Sequence, residues 1–284
     1  MVTDDQIINW RRQGKGYRWI MKQGVSSGRV SKLSHNARKL SKYVVFNDTH
    51  VPFEDKDVME LLFGFIARSK PDGLIILGDF TDFYQVSRFA KDPARKDTLQ
   101  DDIDKSSQYL WTLRRLMKRR PIYYLEGNHE ERLEKYLRNK SPEFYTLRCL
   151  AVQRLLRLDE FDIVYRRRLD MGEITFIHGE MVRRHAGYSA KGHYDRYGTT
   201  MMHGHTHRDA KYTIRTLDGN KAVWENYCTC SLYPEYDSFP NWTQGFSVVT
   251  FDGDTPFVEQ IPIINGRYVY GGKVLDKTST LINK

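Results

Sequence analysis

Cysteine is scarce: Cys149, Cys228 and Cys230 are odd in number and form no C-x-x-C pair. Three ordinary thiols in a reducing compartment are therefore expected. No apolar run approaches the ~18 residues that a bilayer span needs. The first residues, acidic and then basic, lack the apolar core of a secretory signal, so cytoplasm is the expected location. There is no internal repeat and no low-complexity tract. What remains is a chain of 284 residues, 40% hydrophobic and 29% charged, enough for a real core in a soluble protein. That length suits one domain of generous size, or one domain with a small appendage.

Positive charge is in surplus by nine, with a pI near 9.3, which favours a polyanionic partner. The surplus is uneven. Residues 1–42 hold ten Lys and Arg against Asp4 and Asp5, so eight of the nine net charges lie there. Two short helices are expected, Ile7–Gln13 and Tyr17–Gln23, split by Gly14-Lys15-Gly16. A tight turn at Gly24-Val25 then leads into a third helix capped by Ser26. Over about twenty residues this resembles the helix-turn-helix of resolvases and small regulators, in which such a turn precedes the recognition helix. Arg29 and Lys32 are the candidate nucleic-acid contacts. Gln23 stands where an apolar residue usually precedes the turn glycine, and Ile20 fills a place usually kept small. The alternative is a basic arm packed on the domain that follows.

From Tyr43 the texture alternates between strand and helix. Val58–Ala67 presents Met59, Leu62, Phe63 and Ile66 on one face, and Thr98–Arg119 carries the stripe Ile103, Leu110, Leu113, Met117. Helices joining consecutive buried strands predict βαβ crossovers and parallel pairing. Two more helices are expected over Glu130–Arg138 and Phe144–Leu158. After Asp159 come short β runs: Ile163–Tyr165, Ile174–Ile177, Thr200–His203, Tyr212–Thr216, Ala222–Asn226 and Phe246–Phe251. From Asn265 onward the chain is polar and expected to be peripheral.

The strand-like runs share an ending. Leu74-Ile75-Ile76-Leu77 leads into Gly78-Asp79, Tyr43–Phe46 into Asn47-Asp48-Thr49-His50, and Ile122–Leu125 into Glu126-Gly127-Asn128-His129-Glu130. Ile174–Ile177 leads into His178, and Met201-Met202 into His203-Gly204-His205-Thr206-His207. Ligands in layered α/β folds gather outside the carboxyl ends of strands. Five tips carrying Asp, Asn or His therefore imply one polar cluster, read here as a metal site.

In chain order the pattern is Asp48-x-His50, Gly78-Asp79-x-x-Asp82, Gly127-Asn128-His129-Glu130, His178 and Gly204-His205-x-His207. Over residues 43–210 this resembles the calcineurin-like metallophosphoesterase superfamily. Phosphate ester hydrolysis needs a nucleophile at neutral pH and compensation for phosphoryl charge. Two divalent metals ~3.5–4 Å apart supply both. Mixed His, Asp and Asn ligands suit manganese, iron, zinc or nickel better than calcium or magnesium, with manganese the first expectation. The resemblance implies that Asp48, His50 and His207 hold one metal, that Asn128, His178 and His205 hold the other, and that Asp79 bridges the two. It implies that His129, oriented by Asp82, touches the scissile phosphate and protonates the leaving oxygen. His203 falls outside the pattern and is expected to be a strand residue. Arg132 is either a phosphate contact or a surface arginine, and His185 and His193 either line a substrate groove or belong to a solvated basic loop.

The expected architecture is an α/β sandwich of two mixed sheets, face to face and flanked by helices. Residues 1–42 form a basic helical arm and 43–284 the phosphoesterase domain. The leading function is a phosphodiesterase or nuclease acting on DNA. The alternative is a phosphomonoesterase, a nucleotide or cyclic-nucleotide phosphodiesterase, or a phosphoprotein phosphatase. The last is weakened because Phe83-Tyr84 follow Asp82 where Ser/Thr protein phosphatases carry Arg-Gly. A DNA-binding protein with a degenerate site is a third reading, against which the intact ligand positions stand. Tyr84, Phe89, Tyr188, Tyr194 and Tyr197 are candidate base-stacking residues.

Overall fold

The computed structural model of the protein describes residues 2–12, 15–37, 40–234 and 239–280. Gln13, the last residue expected in the first helix, lies outside them, as do Arg38 and Lys39. Along the chain the arm supplies α1 (Asp4–Arg12), α2 (Tyr17–Met21) and α3 (Ser27–Ala37). Next come β1 (Ser41–Phe46), α4 (Lys56–Ser69), β2 (Gly73–Ile76), α5 (Leu99–Met117), β3 (Ile122–Leu125), α6 (Glu130–Lys140), α7 (Val152–Leu155) and β4 (Ile163–Arg166). The second half gives β5 (Arg168–Met171), β6 (Ile174–Ile177), α8 (Tyr188–Tyr197), β7 (Met201–His203), β8 (Ala210–Thr216) and β9 (Gly219–Glu225). It closes with β10 (Gly245–Asp252), β11 (Thr255–Pro262), β12 (Arg267–Tyr270) and β13 (Lys273–Asp276).

Alternation along the central strands explains why they read as continuous apolar runs. Val44, Phe46, Leu74, Ile76, Ile122 and Tyr124 face a core shared with Leu61, Leu62 and Phe65 of α4 and Leu110, Leu113 and Met117 of α5. Their neighbours Val45, Ile75, Leu77 and Leu125 face the other way, against Ile174, Phe176, Met202 and Trp224 of the second sheet. A parallel strand covered on both faces has no solvent side to supply polar residues. The first sheet runs β11-β10-β1-β2-β3-β4, with β1 to β4 parallel. The second runs β5-β6-β7-β9-β8, parallel at its centre. Two mixed sheets flanked by helices are thus observed, with the expected βαβ crossovers through α4 and α5.

Local chemistry sets the helix limits. Asp55 caps α4 by accepting from Asp57 N at 2.9 Å and Val58 N at 3.2 Å. Thr98 and Asp101 form a reciprocal capping box on α5. Ser26 Oγ accepts from Arg29 N at 3.4 Å at the start of α3. The arm has a small core of its own, formed by Ile7, Ile20, Val25, Val30 and Leu33.

Two expectations fail. Phe144–Leu158 is not one helix but two 3-10 turns, Pro142–Phe144 and Arg148–Leu150, followed by the short α7. Leu156 and Leu158 are fully buried while Phe144, Tyr145 and Leu147 are exposed, so the apolar residues of the segment do not share one buried helical face. Nor is the stretch from Asn265 onward peripheral. β12 and β13 form a hairpin that buries Tyr268 against Phe65 and Phe246, at centroid distances of 5.8 and 5.6 Å. One alternating position suffices to anchor a hairpin that is otherwise polar. The strands β5 and β11 and the helix α8 carried no expectation. β5 and β11 alternate half-buried with exposed positions, a weak signal beside that of the buried strands. Among the described residues no helix is long and apolar enough to cross a membrane.

Candidate metal centre

The loops that leave β1 and β2 are tied together before any side chain is considered. Asp48 N donates to Gly78 O at 3.1 Å, His50 N to Asp79 O at 3.0 Å, and Asp82 N to Val51 O at 2.9 Å. His129 N, at the start of α6, donates to Asp79 Oδ1 at 2.9 Å, and His205 N, after β7, to Asp48 Oδ2 at 2.8 Å. Backbone from four loops is thereby locked around two carboxylates. The loops pack so closely that a Cβ on Gly127 would sit 2.1 Å from Asp79 Oδ1, and one on Gly204 would sit 2.5 Å from Asn47 Nδ2. Both glycines of the motifs are required by this approach.

All seven candidate ligands come together, in two groups. Asp48 Oδ1, His50 Nε2 and His207 Nε2 face one point: His207 lies 3.3 Å and His50 3.7 Å from the carboxylate oxygen, with 3.0 Å between the two ring nitrogens. Asp79, His178 and His205 bring their ligand atoms together in a second group, where His178 Nε2 is 3.2 Å from Asp79 Oδ2 and 3.1 Å from Asn128 Oδ1. Asp79 Oδ2 also lies 3.9 Å from His50 Nε2, so this carboxylate stands between the groups.

The donor set fits cations. Asp48 Oδ1 is buried without a hydrogen-bond partner, an expensive state for an anion unless a positive charge meets it. Five of the seven candidates have positive φ: Asp48 (49°), His50 (50°), Asp79 (49°), His205 (69°) and His207 (57°). Such backbones cost of order 1–3 kcal/mol each and persist where the surroundings over-determine them, as at functional sites. The titration pattern agrees. Burial alone would raise Asp79, yet the charges of His129, His178 and His50 hold it well below the carboxylate range. Burial alone would lower His178, yet Asp79 and Asp48 lift it to about 9. His205, buried beside His178, falls to about 4. Positive charge on His50 and His178 thus offsets the buried carboxylates, a place that divalent cations would take when bound.

Ring orientation comes from the far nitrogens. His178 Nδ1 donates to Leu77 O at 2.8 Å, and His50 Nδ1 to Asp82 Oδ2 at 3.0 Å. His129 Nδ1 donates to Asp82 O at 3.0 Å and lies 3.1 Å from Asp82 Oδ2, so Asp82 aligns two histidines. His203 is a buried strand residue, as expected. His193 is wholly buried and stacks on His203 with centroids 4.0 Å apart, which removes it from any groove lining, while His185 is exposed. Of the aromatic candidates, Phe89, Tyr188 and Tyr197 are exposed. Tyr194 packs on Tyr212, and Tyr84 lies against Phe53 and the Arg95 guanidinium.

Two structural supports had no assigned role in the sequence, and for a third two roles were left open. Glu130, fully buried, accepts from Asp79 N (2.9 Å), Phe80 N (3.0 Å), Thr81 N (3.3 Å), Gly127 N (2.8 Å) and Tyr124 Oη (2.6 Å). One carboxylate therefore clamps the β2 and β3 loops. Its position inside the Gly-Asn-His-Glu motif was the available signal. Asn47 bonds Asp48 Oδ2 and receives a bond on its Oδ1 from Asn226 Nδ2 at 2.6 Å. Asn226 ends a strand-like run just as the ligands do. The third is Arg132, on the first turn of α6. Its side chain is 17% exposed and is engaged by both His129 and Asp82.

Two sheets with a dinuclear-type cluster at their strand tips define a metal-dependent phosphoester hydrolase. The chain belongs to the calcineurin-like phosphoesterase family, whose model matches residues 41–226. It is similar to the Gene 54 protein of Mycobacterium phage L5, 28% identical over 256 residues that cover 82% of this chain and 98% of that one. The Gene 54 protein of Mycobacterium phage D29 is 27% identical over 251 residues, with the same coverage. Among solved structures, vacuolar protein sorting 29 from Cryptosporidium parvum aligns over 83% of this chain and 95% of its own, at 14% identity and a TM-score of 0.45.

Proposed function

We propose that the protein is a phosphodiesterase acting on nucleic acid in the cytoplasm, with manganese as its resident metal. Asp48, His50 and His207 would hold one divalent cation, and Asn128, His178 and His205 the other, with Asp79 shared. When bound, the pair supplies charge to offset the phosphoryl oxygens and lowers the pKa of water so that it attacks at neutral pH. The chain supplies the rest. Asp82 holds His129 through Nδ1, which leaves Nε2 as the atom that would take up a proton from solvent and pass it to the leaving oxygen.

The observation that carries the nucleic-acid reading is the position of the charge. Eight of nine net positive charges fall in residues 1–42, where Arg18, Lys22 and Lys32 are exposed on the helical arm. Exposed cations on a small helical unit suit a phosphate backbone. A specific contact favours the alternative, an arm that serves packing and a small-molecule or monoester substrate. Arg29 is held by Asp4, with Nε 2.9 Å from Oδ1, and also donates to Val2 O at 3.0 Å, so part of the basic surface is spent inside the arm.

The test uses the full chain in manganese, on nitrophenyl phosphomonoester and phosphodiester substrates and on labelled single- and double-stranded DNA. The triple variant Arg18→Glu, Lys22→Glu, Lys32→Glu keeps the site intact. DNA cleavage that weakens in the variant and falls steeply with salt, beside unchanged diester turnover, is the expected result. Monoester turnover with DNA untouched would replace this reading with a small-substrate phosphatase.

A further inference from the structure

Arg132 has more hydrogen-bond donors than its protein partners use. Nη1 is fixed by Asp82, 3.0 Å from the backbone oxygen and 3.1 Å from Oδ1. Nη2 donates to His129 Nε2 at 2.9 Å. Among the described residues no hydrogen-bond partner is recorded for Nε or for the second Nη2 hydrogen, and the side chain keeps 17% of its surface open.

We propose that Arg132 binds the phosphoryl group of the substrate. If it only braced Asp82, Nη1 alone would complete the role. Nη2 instead covers His129 Nε2, the nitrogen that lies 3.7 Å from Asp79 Oδ2 at the metal cluster. A ring nitrogen offers a guanidinium one uncharged acceptor site, whereas a phosphoryl oxygen is anionic and a phosphate matches the planar fork with two parallel bonds. Arrival of the phosphate therefore transfers Nη2 from His129 to oxygen. That leaves His129 Nε2 free to face the leaving group, while Nη1 keeps its hold on Asp82. The geometry of the fork is set by α6: Arg132 lies three residues beyond His129, on the same helical face, so the two move as one unit. The sequence left this residue undecided between a phosphate contact and a surface arginine, because its spacing from His129 did not reveal the turn of Asp82 beneath it. This assignment holds for any phosphoester substrate and does not depend on the nucleic-acid reading.

The measurement is calorimetric binding of inorganic phosphate to the metal-loaded full-length chain, as wild type, Arg132→Lys and Arg132→Ala. Metal content and melting temperature are recorded for each. Phosphate affinity is expected to drop about ten- to hundredfold in Arg132→Ala and less in Arg132→Lys, which keeps the charge and loses the fork. Guanidinium ion added to Arg132→Ala should restore part of the binding. Unchanged phosphate affinity with full metal content would overturn the proposal, even if turnover fell, because Arg132 would then be only a positioning residue for His129. Should Arg132→Ala lose metal or fold, the Arg132→Lys constant decides in the same way. Because phosphate binding is read without turnover, a failed DNA assay leaves the outcome interpretable.

Discussion

The arm and the domain that follows hold their charge in opposite ways. In the arm Lys15, Arg18, Lys22, Arg29 and Lys32 are exposed around a five-residue apolar core, and the Asp4–Arg29 pair is 58% and 40% exposed. In the domain, Asp48, Asp79, Glu130 and Glu225 are almost wholly buried, each gripped by backbone amides or histidines. Water screens the first kind of charge, which therefore shapes long-range attraction and little else. The second kind is costly to bury, so it must be organised by many partners. That organisation is what makes a reaction centre.

The contrast can be broken most severely at Asp79, which lies between both ligand groups. Asp79→Asn should lower kcat/KM by at least about a hundredfold, beyond the usual cost of losing an outer hydrogen bond to a metal ligand. Metal content measured on the same sample should fall, and a variant retaining both activity and metal would remove Asp79 from the centre. Glu130 comes next. Glu130→Gln replaces one acceptor oxygen with an NH2 group that faces amide donors, and should cost roughly 3 kcal/mol or more in denaturant unfolding. A loss below about 1 kcal/mol would mean that the loops hold themselves.

Asp102 sharpens the comparison from another side. It is buried in α5, and burial lifts it to about 7 against the Gln85 amide and the Arg95 charge. Its carboxyl ionises far more easily in the unfolded chain. The folded state is thus unpenalised below pH ~4 and loses stability as pH rises towards about 7. At ~1.4 kcal/mol per unit the ceiling is about 4 kcal/mol, and burial of the replacement amide takes part of it back. Asp102→Asn should therefore stabilise the protein by about 2 kcal/mol at pH 8 and hardly at all at pH 4, read from unfolding curves at both values. An equal effect at both pH values would show that packing rather than ionisation governs the site. The smallest effect belongs to the arm. Asp4→Ala removes an exposed pair and should change stability by about 0.2–1 kcal/mol, decreasing with added salt. A larger, salt-insensitive loss would mean that Arg29 and Asp4 are a structural joint, and would weaken the view of Arg29 as a nucleic-acid contact.

Much of the fold could be read directly from residue order. Val44, Val45 and Phe46 alternate between two apolar environments, and an uninterrupted apolar run is the pattern that such a strand must have. The helical stripe of α5 and the Ser26 cap of α3 were visible for the same reason: one is periodic and the other local. So were the candidate ligands, because a strand tip is a position along the chain as well as a place in space. The helix expected over Phe144–Leu158 failed because its apolar residues do not share one buried face, and the periphery expected after Asn265 failed where a single buried residue, Tyr268, outweighed the average polarity of its segment.

The sequence by itself determined the strand and helix alternation, the polar tips and the concentration of basic charge in the arm, since each is a property of near neighbours. Tertiary structure alone decided that Asn226 bonds Asn47 across 179 positions, that Glu130 clamps the β2 and β3 loops, and that Arg132 reaches both His129 and Asp82. These contacts depend on strand order, register and loop approach. Many pairings far apart in the chain are compatible with the same periodicity, so only packing selects among them.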